Sequence, residues 1–150
     1  MKISAKTNYA LRTVLDLASH GRNGDVAKVG EIGARQDIPP KFLEQILLVL
    51  KGAGIVTSKR GVNGGYFLSM PPSRITLSSI IALTDEGLLS PRTPTREAQS
   101  EIPPGTVGAL DEVWDRIGHF IHQTLEGTTI QDMYVREREL AVDTETHYAI

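Results

Sequence analysis

The stretch KRGVNGGYFL, residues 59–68, sets the tightest limit on the fold, because it places three glycines in five positions directly after a Lys-Arg pair. The flanking runs IVTSKR and YFLSM are rich in strand-favouring residues, so the segment reads as two short strands bracketing a GVNGG tip. Glycines supply the positive-φ positions of such a tip and let one backbone approach another. A slim hairpin of this kind carries Lys59 and Arg60 outward, where a guanidinium can enter a DNA minor groove or grip a phosphate. A nucleotide-binding loop is excluded, since no Gly-Lys-Ser/Thr pattern appears and no strand-helix-strand unit surrounds these glycines.

The segments before the hairpin have helical periodicity. Ala10, Val14, Leu17 and Ala18 recur at i, i+4, i+7 and i+8, which predicts an amphipathic helix over residues 5–20 ending near Gly21. A short helix over about residues 29–35 follows, with Val29 and Ile32 inward and a tight turn at Gln36 and Asp37. A third helix opens at the Pro39-Pro40 pair, because proline is tolerated in a first turn. Its buried stripe is Leu43, Ile46, Leu47 and Leu50, leaving Lys41, Glu44, Gln45 and Leu48 opposite, and Gly52 or Gly54 ends it. A short helix, tight turn and longer helix make a helix-turn-helix whose second helix can enter a major groove. Lys41, Glu44 and Gln45 are the expected base-contacting residues, with Lys59, Arg60, Gly64 and Gly65 forming the DNA-facing wing.

Charge separates the two halves of the chain. Residues 1–74 carry 11 Lys/Arg against 5 Asp/Glu, and residues 75–150 carry 5 against 13, giving +6 and −8 within an overall −2. A basic half suits double-stranded DNA, and an acidic half is kept off the phosphates and left free to meet proteins. The absence of cysteine excludes disulfides, thiol catalysis and iron-sulfur clusters held by the chain's own thiolates. No apolar run reaches membrane-spanning length, and Met1, Lys2, Ile3 and Ser4 do not begin a signal peptide, so a cytoplasmic protein is expected.

The second half predicts a connection and a long helix. Pro91, Pro94, Pro103 and Pro104 mark residues 87–105 as a loop, and a helix is expected from Val107. Its apolar positions, Val107, Leu110, Trp114, Ile117, Ile121 and Leu125, alternate steps of three and four, the spacing of a coiled-coil seam. Dimerisation is therefore assigned to Leu110, Trp114, Ile117, Ile121 and Leu125. Thr129 caps a short helix from Ile130 to about Leu140, with Asp132 three residues on, and that helix is expected to pack against a partner subunit. The organisation expected is a DNA-binding domain over 1–86, a loop over 87–105, dimerisation helices over 106–140 and a tail over 141–150. The fold class is mainly α with a small β-hairpin wing. His119 and His122 with Glu126 lack further ligands at fixed spacing, so no metal is assigned. No nucleophile elbow, acid pair or cofactor fingerprint organises a catalytic site, so neither enzyme activity nor a cofactor is expected.

These features together resemble one family. MKISAKTNYALRTVLDLA, FLEQILLVLKGAGIVTSKRGVNGGYFLS and ITLSSIIALTDEG are similar to the N-terminal helix, the LEQ recognition helix with its RGxxGGY wing, and the following helix of the bacterial Rrf-type ("Rrf two") winged-helix regulators. The resemblance implies a homodimeric transcription factor that binds an inverted-repeat operator. Many members of that family carry three cysteines before the long helix, whereas LLSPRTPTREAQSEIPPGTVGALDEVW contains none and the N-terminal AKTNYALR offers only Asn8. The missing cysteines, GLLSP and the final HYAI resemble the cysteine-metabolism repressor branch. That likeness implies a repressor of sulfur and cysteine genes that complexes with cysteine synthase through Tyr148, Ala149 and Ile150. The alternative is an interaction module that regulates a metabolic enzyme, with DNA binding secondary, for which the Val62-Asn63 tip leaves room because many relatives carry proline and glycine there.

Overall fold

The structure, a computed structural model, describes residues 3–21, 25–85, 87 and 104–148, with side chains of the last segment from 105 to 144. Among these residues it has six α-helices and one two-stranded sheet: α1 (Ala5–His20), α2 (Val29–Gln36), α3 (Pro40–Gly52), β1 (Val56–Lys59), β2 (Gly65–Leu68), α4 (Leu77–Thr84), α5 (Pro104–Gly127) and α6 (Ile130–Tyr148). This is the expected helical fold with a hairpin wing.

Local chemistry sets the element ends. Ser4 caps α1, its hydroxyl accepting from the Thr7 amide at 3.2 Å, and Thr76 caps α4 by accepting from the Ser79 amide at 3.2 Å. The turn between α2 and α3 passes through Asp37 at φ 49°, a left-handed conformation that aspartate tolerates better than most residues. The Ile38 amide then donates to the Gly33 carbonyl at 3.1 Å and closes the end of α2. A side chain at Gly33 would bring its Cβ within 3.1 Å of the Ile38 carbonyl oxygen, so the small residue permits the tight turn.

The core lies where α1, α3 and α4 meet. Ala10, Val14, Leu17 and Ala18 of α1 pack with Leu43, Ile46, Leu47 and Leu50 of α3, and Ala27, Ile32, Ile38, Ile55, Val56, Ile75, Ile80 and Ile130 complete the cluster. Each large aliphatic side chain buried there contributes roughly 1.5–3 kcal/mol relative to exposure. The hairpin pairs antiparallel, with Val56 opposite Leu68 and Lys59 opposite Gly65. A third backbone segment extends it: the Ala27 amide donates to the Tyr66 carbonyl at 2.9 Å, and the Tyr66 amide donates back at 2.8 Å.

Two expectations for the second half are corrected. The long helix begins at Pro104, not at Val107, because proline can occupy a first turn. The last helix continues to Tyr148, so most of the expected 141–150 tail is helical. Nothing in LAVDTETHY breaks a helix, and within it the Thr144 hydroxyl donates to the Leu140 carbonyl at 2.8 Å. The start of α6 also packs inside its own chain, where Ile130 and Tyr134 are buried. There the Ile130 amide donates to Ile75 and the Leu77 amide to Thr128, and the Ser19 hydroxyl donates to Glu137 at 2.9 Å. The Thr129 cap holds in both directions: the Asp132 amide donates to the Thr129 hydroxyl at 3.2 Å, and the Thr129 amide donates to the Asp132 carboxylate at 2.8 Å.

Candidate nucleic-acid interface

Lys41, Glu44 and Gln45 all lie exposed on the side of α3 away from the core, as the apolar spacing of the helix requires. A polar network aims this helix. Asp16 projects from α1 with its side chain fully buried, and Arg35 from α2 meets it through Nε to Oδ1 at 2.9 Å and Nη2 to Oδ2 at 2.7 Å. Gln36 Nε2 donates to the same Oδ1 at 3.0 Å. The hydrogen bond to Asp16 holds the Arg35 guanidinium above its ordinary pKa, against the opposing effect of burial. These contacts tie the end of α2 to α1 and fix the turn from which α3 departs. Apolar spacing does not reveal them, although the sequence carries one signal. Asp16 falls beside Thr13 and Leu17 on the apolar side of α1, where a carboxylate must find a cation.

The wing begins immediately beyond α3. Lys51 Nζ in the last turn of α3 donates to the Ser58 hydroxyl of β1 at 2.6 Å, which links helix and hairpin. Lys59, Arg60, Val62 and Asn63 are exposed at the hairpin end, Val62 to 90%. The glycines divide into two roles. Gly61 has φ 109°, a turn conformation that other residues resist. Gly64 and Gly65 instead allow close approach: a Cβ on Gly64 would run into the Lys59 carbonyl oxygen, and one on Gly65 would lie 2.6 Å from the Ala27 carbonyl oxygen. Gly64 is buried and Gly65 half-buried. They shape the wing that presents Lys59 and Arg60.

The seam on α5 is accessible. Leu110, Trp114 and Ile117 are exposed to 55%, 49% and 43%, and Ile121 and Leu125 are half-buried. Val113 and Phe120 broaden the apolar strip on one side. His122 Nε2 lies 3.2 Å from the Glu126 carboxylate one turn on, and no group of three potential metal ligands forms among the described residues. Ala149 and Ile150 lie outside the described residues, as does the Tyr148 side chain.

A helix-turn-helix with an exposed polar face on its second helix, followed by a hairpin bearing two exposed cations, defines a winged-helix DNA-binding transcriptional regulator. Residues 3–136 match the model of the Rrf2 family, described as an iron-dependent transcriptional regulator, and the chain belongs to that family. It is 34% identical over 134 residues to the HTH-type transcriptional regulator CymR of Bacillus subtilis, covering 89% of each chain. It is 31% identical over 135 residues to the regulator IscR of Aliivibrio salmonicida, covering 90% of this chain and 78% of that one. The solved structure of CymR, the global cysteine regulator of B. subtilis, superposes with a TM-score of 0.78 at 28% identity, over 91% of this chain and 98% of that one. The protein is a transcriptional regulator, not an enzyme.

The iron in the family's description implies a metal group, and the donor set of this chain does not fit a thiolate-held cluster. There is no cysteine at any of its 150 positions. No helix among the described residues is long and apolar enough to cross a membrane.

Proposed function

We propose that the protein is a homodimeric repressor of sulfur and cysteine metabolism genes that acts in the cytoplasm on an inverted-repeat operator without an iron-sulfur cluster. The observation that carries this reading is the exposed Lys41, Glu44 and Gln45 face of α3, joined through the Lys51–Ser58 hydrogen bond to a wing with exposed Lys59 and Arg60. Helix side chains read base edges in the major groove, and wing cations hold phosphate or minor groove. The exposed apolar strip on α5 supports a two-fold dimer, and two-fold symmetry in the protein calls for an inverted repeat in the DNA. The sulfur assignment is supported by the likeness to CymR and by the lack of cysteine. The test is binding of purified protein to duplexes selected from a random pool, measured over a range of salt. An inverted-repeat motif with affinity falling steeply as salt rises is expected. Binding without sequence preference would reject the reading.

The enzyme partner in this proposal is cysteine synthase, engaged through Tyr148, Ala149 and Ile150. Isothermal calorimetry with cysteine synthase checks it: binding that is lost on deleting residues 148–150 is expected, and equal affinity with and without them removes this partner.

A further inference from the structure

The exposed side of α3 is not uniformly polar. Leu48 is 72% exposed and stands between Gln45 and Lys51, both exposed themselves. Helical spacing sets it one turn beyond Glu44 and Gln45 and two turns beyond Lys41, on the same side of the helix. The other large apolar side chain exposed on α3, Phe42, has a neighbour in Tyr9 of α1, with ring centroids 6.4 Å apart. Leu48 has no place in the core, because Leu43, Ile46, Leu47 and Leu50 fill the opposite side. A single exposed leucine on a protein surface needs no explanation. This one interrupts the polar face that the fold directs at DNA, with Lys51 beyond it held against Ser58 at 2.6 Å.

In the major groove the base edges present hydrogen-bond donors and acceptors, and the one apolar group larger than a hydrogen is the C5-methyl of thymine. A leucine cannot satisfy a donor or acceptor, but it can shield a methyl group from water and leave a polar edge unpaired. We infer that Leu48 reads one thymine in each operator half-site through its methyl group. That base lies about 5 Å along the groove from the one met by Glu44 or Gln45, which is one or two base pairs. The inference rests on α3 being the recognition helix and adds a sequence preference that hydrogen bonds alone do not supply. A protein partner seated on Leu48 is the competing occupant.

The test works on an operator of any sequence. Duplexes are selected from a random pool with the wild-type protein, and each thymine of the selected half-site is then replaced by uracil, which removes only the methyl. Affinities for wild type and Leu48→Ala are compared by fluorescence anisotropy at one salt concentration. Alanine favours helix at an exposed position, so the variant keeps its fold. One thymine per half-site is expected whose replacement weakens wild-type binding about fourfold, the factor for burying one methyl-sized group. The same replacement should leave Leu48→Ala unchanged. If no replacement affects wild type, or if Leu48→Ala stays equally sensitive to the methyl, the inference is overturned and a protein occupant is favoured. Lys41→Ala and Gln45→Ala in the same assay separate the two levels. Wild-type affinity in both would reject α3 as the recognition helix, whereas weakened binding without a methyl effect rejects Leu48 alone.

Discussion

Arg35 grips the buried carboxylate of Asp16 with two parallel hydrogen bonds of 2.9 and 2.7 Å, so α1 and the end of α2 are fixed to each other at the point where the chain turns into α3. A planar guanidinium matches a carboxylate in this way and sets orientation as well as distance. Arg12 adds to the assembly from α1, with Nε 3.5 Å from the Gln36 side-chain oxygen. The orientation of the candidate DNA-reading helix therefore depends on a polar joint below it as well as on its own apolar stripe.

Removing the cation should expose the cost of that joint. Arg35→Ala leaves the buried Asp16 carboxylate with the Gln36 hydrogen bond and His20 at 3.6 Å but without its bidentate cation. Breaking such a pair costs about 3 kcal/mol, the lower end of the usual range, because these contacts remain and the Arg35 side chain is itself 32% exposed. Urea denaturation of the two proteins at neutral pH measures it. A difference below about 1 kcal/mol would mean that the joint contributes little.

On the α3 surface, the two exposed polar side chains are expected to behave differently. Gln45→Ala should relax base preference at one position per half-site, since glutamine can pair with adenine in the major groove. Lys41→Ala should lower affinity across all sequences and reduce the slope of log affinity against log salt by about 1. Binding-site selection and salt titration read the two effects separately, and identical selected motifs for wild type and Gln45→Ala would remove direct readout by that residue.

The wing permits a contrast between a contact and a shape. Arg60→Ala should weaken operator binding by roughly 1–3 kcal/mol with the fold and dimer intact. Gly64→Ala should weaken it as well, but by deforming the hairpin, since its Cβ has no room beside the Lys59 carbonyl. Amide exchange in Val56–Leu68 distinguishes them: faster exchange is expected in Gly64→Ala and none in Arg60→Ala.

Dimerisation through α5 predicts a specific failure. Ile117 lies on the strip between Trp114 and Ile121, and Ile117→Asp would bury a charge at the seam. Monomers with little operator affinity are expected, and sedimentation equilibrium checks the mass. A mutant that stays dimeric would place the interface elsewhere on the molecule.

The cap between α5 and α6 is expected to weaken in acid. Hydrogen bonds from the Thr129 hydroxyl and amide hold the Asp132 carboxyl below its ordinary pKa. A folded-state pKa lowered in this way contributes stability that is present above the unfolded value, near 4, and is lost as pH falls through the folded value. The stability gap between wild type and Asp132→Asn should therefore be full at pH 7 and shrink below about pH 4. A gap that does not change with pH would show that the carboxylate charge plays no part in the cap.

Much of this molecule follows from residue spacing. The repeats at Ala10, Val14, Leu17 and Ala18 and at Leu43, Ile46, Leu47 and Leu50 assign both the helices and their buried sides. A helix that can bury only one stripe leaves no choice of face. The same logic puts Lys41, Glu44 and Gln45 on the outside of α3, and the glycines between two strand-like runs fix the hairpin. The sequence also decides what the chain cannot hold, because a thiolate cluster needs cysteines and there are none. Tertiary structure alone decides what depends on residues distant in the chain. It pairs Asp16 with Arg35, brings Ala27 to Tyr66 and packs Gly64 and Gly65 against the Lys59 and Ala27 carbonyls in the frame of the wing. It also turns the start of α6 back onto α1 and the Ile75 segment. Periodicity reports which side of an element avoids water, but it carries no information on which other element supplies the cover. That choice is made by the summed packing and hydrogen bonding of the whole chain.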